Sequence, residues 1–142
     1  ANGDVTLTGG NLGVNTGAPR GNLDVNGSMY VKTRVVTTND AVNLTDYHIF
    51  CDGGDPTIQT FTITLPASDA SQVGRTINFS TANEGGNTTY QLDSGGAIIF
   101  FAGQDVSSTL QLGNAMGPDS ASIEMTLVKP NVWIVTSKTD AG

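Results

Sequence analysis

A single cysteine, Cys51, occurs in the 142 residues, so no disulfide can close within the chain. One unpaired thiol fits synthesis in a reducing cytoplasm. Charge is scarce: 13% of residues are Asp, Glu, Lys or Arg, about half the usual share. That excludes a coiled coil and a highly charged disordered tail. Cations are scarcest, six against thirteen anions for a net charge of −7, which argues against a nucleic-acid partner. The longest apolar runs, such as Ala97 to Phe101, hold about five residues, far short of the roughly 20 a membrane helix needs. No basic segment leading into an apolar run opens the sequence, so no secretory signal is expected. The sequons at Asn43, Asn78 and Asn87 are then expected to carry no sugar. Helix-period patterning is almost absent.

What is present is period-two alternation, rich in Thr and β-branched residues. Phe61, Ile63 and Leu65 alternate with Thr60, Thr62 and Thr64. Ile77 with Phe79, Tyr90 with Leu92, Leu110 with Leu112, and Ile123 with Met125 and Leu127 do the same. Each run predicts a strand with one buried and one wet face. The continuous runs Ala97 to Phe101 and Val132 to Thr136 predict strands buried on both faces. Turn-rich punctuation separates them: Asp52-Gly-Gly-Asp-Pro56, Glu84-Gly-Gly-Asn87, Ser94-Gly-Gly96, Gly113-Asn114 and Lys129-Pro-Asn131. The expected fold class is all-β, an antiparallel β-sandwich or jelly roll. One short helix, two turns at most, or a loop is expected from Ala67 to Val73, between Pro66 and Gly74.

The N-terminal part differs. Gly10-Asn-Leu-Gly-Val-Asn15 recurs as Gly21-Asn-Leu-Asp-Val-Asn26, identical at five of six positions and offset by eleven residues. Each copy carries two apolar side chains, Leu12 with Val14 and Leu23 with Val25. Strands that short cannot bury enough surface alone, so they need neighbours. Asn26-Gly27 predicts a hairpin turn into Met29 to Thr37. Residues 1–38 carry three cations against two anions, and the remainder three against eleven. An arm of residues 1–38 and a sandwich domain of residues 39–142 are therefore expected, with the boundary near Thr38 to Ala41. Leu12, Val14, Leu23 and Val25 are the expected oligomer and anchor contacts.

Catalytic and metal chemistry finds little support. Paired carboxylates can hydrolyse glycosidic bonds, and Asp52, Asp55, Asp69, Asp93, Asp105 and Asp119 are the candidates. Most stand beside Gly, Pro or Ser in predicted turns, where Asp serves local hydrogen bonding. His48 and Cys51 have a His-x-x-Cys spacing, but no other His or Cys exists to complete a zinc set. On one strand their side chains diverge, Cys51 inward and His48 outward, which also separates them as a nucleophile and base. Asp52-Gly-Gly-Asp55 lacks the five or six spaced oxygen ligands of a calcium loop. No Gly-x-x-x-x-Gly-Lys occurs to cradle phosphate. Trp133 lies among Val132, Ile134 and Val135, which favours a core or interface role over sugar stacking. Phe100 and Phe101 point to opposite faces of one strand, which is therefore expected to be central or at a subunit interface. No catalytic residue, metal or cofactor is expected.

Two stretches resemble bacteriophage structural proteins. Gly10 to Val31, above all Leu23-Asp-Val-Asn-Gly27, is similar to the short β-repeat of phage tail fibres and trimeric adhesins, although Asn15 stands where Gly is common. Tyr47 to Val135 looks like the β-domain of phage tail proteins, with Thr62-Ile-Thr-Leu-Pro66, Gly74-Arg-Thr-Ile77, a Gly-rich turn before Ala97, and Trp133-Ile134 after the strand Ile123 to Val128. The resemblance implies a non-enzymatic virion structural protein, a homotrimer made in the host cytoplasm and carried on the virion surface. A small β-domain with a short arm suits a capsid decoration, or cement, protein docked on the major capsid protein. The alternative is the receptor-binding head of a tail fibre or spike, attached to tail proteins and facing host glycans.

Overall fold

The computed structural model describes residues 9–43, 45–52, 60–82, 89–106, 109–114 and 121–139. The chain divides into two compact units, Ala1–Val31 and Lys32–Gly142.

In the first unit, β1 (Leu12–Val14) and β2 (Leu23–Val25) pair in parallel, with Leu12 beside Leu23, Gly13 beside Asp24 and Val14 beside Val25. The eleven-residue sequence repeat is thus one rung of a ladder, each residue beside its equivalent. Backbone bonds at both ends, Leu12 N–H to the Asn22 carbonyl (2.8 Å) and Asn26 N–H to that of Val14 (2.9 Å), fix the register. The expected hairpin at Asn26-Gly27 does not form: β2 pairs with β1, and residues 28–32 enter no strand. Two strands running in the same direction cannot share a tight turn, so the chain leaves the repeat extended.

The second unit holds the remaining strands: β3 (Thr33–Val36), β4 (Asp40–Ala41), β5 (His48–Asp52), β6 (Thr60–Thr64), β7 (Thr76–Ala82), β8 (Thr89–Asp93), β9 (Ile98–Phe101), β10 (Gln104–Val106), β11 (Thr109–Asn114), β12 (Ser122–Lys129) and β13 (Val132–Thr139). They form a seven-stranded sheet, in the order β10-β9-β13-β12-β7-β5-β3, and a four-stranded sheet, β11-β8-β6-β4. The architecture is all-β and sandwich-like, as its alternation predicts.

Strand direction departs from the antiparallel expectation. β3, β5 and β7 run parallel in the large sheet, and β4, β6 and β8 run parallel in the small one. The chain therefore winds as three coils, β3–β4, β5–β6 and β7–β8, crossing from one sheet to the other within each coil. Antiparallel β12 and β11 then pair with β7 and β8 and end the stack. Alternation reports which face is buried, and both directions give the same alternation. Gly113-Asn114, expected as a turn, belongs to β11 and pairs with Tyr90 and Thr89 across a bulge after Gln111. β3 belongs to the body because it pairs with β5. The division between units thus falls after Val31, ahead of the expected boundary near Thr38 to Ala41.

Inward side chains of both sheets make one core. Ile49, Cys51, Ile77, Phe79, Met125 and Trp133 come from the large sheet; Phe61, Ile63, Tyr90 and Leu92 come from the small one. The Phe61 and Tyr90 rings meet with centroids 5.5 Å apart. Each such side chain contributes about 1.5–3 kcal/mol on burial. Outward positions on the small sheet are polar: Thr60, Thr62 and Thr64 on β6, Gln91 and Asp93 on β8. The runs expected to be buried on both faces are one-sided instead, with Ile98 and Ile134 exposed on the outer face. β9 nevertheless lies between β10 and β13, and both Phe100 and Phe101 are half-buried, so the strand is central as expected.

The connections have local causes. Gly95 sits at φ +59°, and a Cβ there would lie 2.2 Å from the Leu65 carbonyl oxygen, so glycine is required. Asp93 Oδ1 accepts from Gly95 N–H at 2.8 Å to close that turn. The Ala67 to Val73 stretch shortens to one 3-10 turn, Ala70–Gln72, capped by Asp69, whose side chain accepts from Ser71 N–H at 2.8 Å. Pro66 and the positive φ of Gly74 bound a stretch with no buried residue in its turn, so nothing extends it.

Candidate assembly surface

The four side chains expected to make contacts lie in two matched pairs. Leu12 stands beside Leu23 and Val14 beside Val25 along the parallel ladder. Alternation sends these four to one face and Gly13 with Asp24 to the other. The unit fills that second face from its own loop. A Cβ on Gly13 would meet the Thr16 carbonyl oxygen at 2.5 Å and Pro19 at 2.8 Å, so the loop crosses directly over it. One rung on, Arg20 covers Asp24: its N–H and Nε donate to Oδ2 at 2.9 Å, and Nη2 donates to Oδ1 at 3.1 Å. The Arg20 guanidinium and backbone N–H hold the Asp24 carboxyl below the usual carboxylate range.

Among the described residues of the unit, the apolar face has no such cover. Leu12 is 37% exposed, Val14 46% and Leu23 58%; Val25 is half-buried. Farther along the chain Met29, Tyr30 and Val31 are exposed as well, Tyr30 at 98%. Exposed apolar side chains grouped on one face make a candidate contact surface. The repeat signalled that Leu12, Val14, Leu23 and Val25 form matched pairs, and gave no sign of what Gly13 and Asp24 pack against. Those two are marked only as the one position at which the copies differ.

In the body, His48 and Cys51 diverge as expected. Cys51 is fully buried, and burial pushes its thiol up to about 12. His48 lies on the outer face, with Nε2 2.7 Å from Ser80 Oγ and Nδ1 3.3 Å from Thr33 Oγ1. Trp133 is fully buried, a core residue. Asp69 and Asp93 serve turns; Asp52 lies on β5 and Asp105 on β10; Asp55 and Asp119 lie outside the described residues. Among the described residues, no three His, Cys, Asp or Glu side chains stand close enough to share a metal ion.

One charged cluster escaped sequence reasoning. Arg34 on β3 occupies the inward column that continues through Ile49 and Phe79. Its Nε donates to both oxygens of Asp46 at 3.1 Å and its Nη2 to Oδ2 at 2.8 Å; Nη1 reaches Asp40. Asn43 N–H donates to Asp46 Oδ2 at 2.8 Å. Arg75 Nη2 donates to the carbonyls of Asn43 and Asp46. The Asp46 side chain is 1% exposed. Burial raises its carboxyl's pKa, but the Arg34 and Asn43 hydrogen bonds and the positive charges of Arg34 and Lys32 outweigh it, leaving a net value below the usual range.

No protein-family model matches the chain, and neither a curated protein nor a solved structure matches it.

Proposed function

We propose that this is a non-enzymatic bacteriophage virion-surface protein, a homotrimer that decorates the outer face of the capsid by docking on the major capsid protein. The observation that carries the reading is the bare apolar ladder of the first unit. Leu12, Val14 and Leu23 are exposed while the opposite side of the same two rungs is closed by Thr16, Pro19 and Arg20. A two-rung unit that leaves its apolar side open is a fragment of a larger packing arrangement. The likeness of Leu23-Asp-Val-Asn-Gly27 to phage β-repeats supports a virion setting, and supports three copies around an axis.

The body supports a scaffolding role. Apart from Arg34 its core columns are apolar, the outer face of the small sheet carries Thr, Gln and Asp, and Asp69 and Asp93 at turns hold backbone N–H groups. Few charges take part, so assembly through such surfaces depends weakly on salt.

Copy number per virion, measured by quantitative mass spectrometry against the major capsid protein, tests the proposal. Hundreds of copies are expected of a decoration protein. A few to a few tens would move the chain to a fibre or spike and direct the search to host glycans. Absence from purified virions would overturn the reading.

A further inference from the structure

The first coil of the body, β3–β4, is held differently from the other two. Among the described residues β3 pairs only with β5, and β4 only with β6, so each has one edge without a described partner. β4 is two residues long and exposed. Where the second and third coils send Ile49 and Phe79 into the core, the first sends Arg34. Its apolar attachment reduces to Val36 and, just past β4, Val42. Its polar side-chain attachment includes Arg34 to Asp46 and the Thr62 N–H donated to Asn39 Oδ1 at 2.8 Å. An inward charge on an edge strand also discourages further strands from adding there.

We propose that the β3–β4 coil is an exchangeable element, and that the Arg34–Asp46 ion pair is the latch that keeps it on its own chain. Once the latch opens, the coil leaves and bares two parallel edges, β5 and β6. The segment that fits those edges is already on view: residues 33–41 pair with them in register, Thr33 with His48 through Val36 with Cys51, and Asp40 with Ile63. A second copy of this chain carries the same segment, so the occupant of the bared edges is its first coil. Exchange of an identical element between copies adds no new strand pairing and requires the connection from β4 to β5 to open, the step that the experiment below reads. This surface is separate from the apolar ladder of the first unit and stands without the proposed function.

Cysteine pairing tests the exchange. Val35 and Phe50 are outward register partners on β3 and β5, and neighbouring strands lie about 4.8 Å apart, within disulfide range. One preparation carries Val35→Cys and the other Phe50→Cys. Both also carry Leu23→Asp and Val25→Asp, so the arm plays no part. A single chain with both cysteines closes within itself and sets the full-yield scale. Native Cys51 is buried with its thiol protonated and does not compete. The two preparations are mixed, incubated and mildly oxidised. With Asp46 intact, little covalent heterodimer is expected. With Asp46→Asn in both, at least tenfold more is expected, with the Trp133 emission of a folded body. A folded Asp46→Asn pair with no increase overturns the proposal, as does equal exchange with Asp46 intact. If Asp46→Asn does not fold, Arg34→Gln decides, since it removes the same ion pair from the other side: a rise above the intact pair supports the latch, and no rise overturns it.

Discussion

The two units use the same construction and finish it in opposite ways. Both stack strands in parallel, each residue beside its counterpart one turn later. In the body the inward columns face a second sheet, so Ile49, Phe79, Ile63 and Leu92 are fully buried. In the N-terminal unit the equivalent apolar pairs, Leu12 with Leu23 and Val14 with Val25, face no second layer among the described residues. Only the small side of that ladder is closed, by a loop over Gly13 and by Arg20 over Asp24. One construction yields a finished core where a second sheet returns, and an exposed apolar face where no second sheet is described.

Substitutions should separate the two. Trp133→Ala should have the largest effect, a loss of about 3–5 kcal/mol in the body's unfolding free energy, measured by chemical denaturation. Asp46→Asn should follow, at about 3 kcal/mol, because it leaves Arg34 with half its partners in a buried setting. Its pH signature is distinctive. A carboxyl held below its ordinary value stabilises the fold fully above that value, about 3.9, and loses the contribution as pH falls through the lowered one. Wild-type protein should therefore lose stability below about pH 4 more steeply than Asp46→Asn in acid denaturation series.

Glycines sharpen the comparison. Gly95→Ala places a methyl 2.2 Å from a backbone oxygen at positive φ, and should cost the body about 2 kcal/mol or more. Gly13→Ala makes a similar clash, at 2.5 Å, but within the N-terminal unit. It should leave the body's melting unchanged and weaken assembly, read by sedimentation. The smallest effect on the body should come from Leu23→Asp with Val25→Asp, within about 0.5 kcal/mol as for exposed sites.

Faces were legible in the sequence and directions were not. Phe61, Ile63, Ile77, Phe79, Ile123 and Met125 alternate with polar residues and are all buried. The same alternation serves parallel and antiparallel strands, so it could not reveal that β5 follows β3 in one sheet only after a visit to the other. Arg34 hid for a related reason. In Thr33-Arg-Val-Val36 an inward Arg breaks the expected pattern, and its partner Asp46 is twelve residues away across a connection. In the N-terminal unit the repeat disclosed the apolar pairs because each copy repeats them. Its inner face was obscured because Gly13 and Asp24 solve one packing problem with different residues.

The central claim is that the bare ladder of the first unit is an assembly surface. Light scattering on the purified chain tests it most directly. Wild-type protein should have the mass of three chains, and the Leu23→Asp, Val25→Asp protein the mass of one, with the body's melting curve unchanged. An unchanged mass after both substitutions would contradict the account.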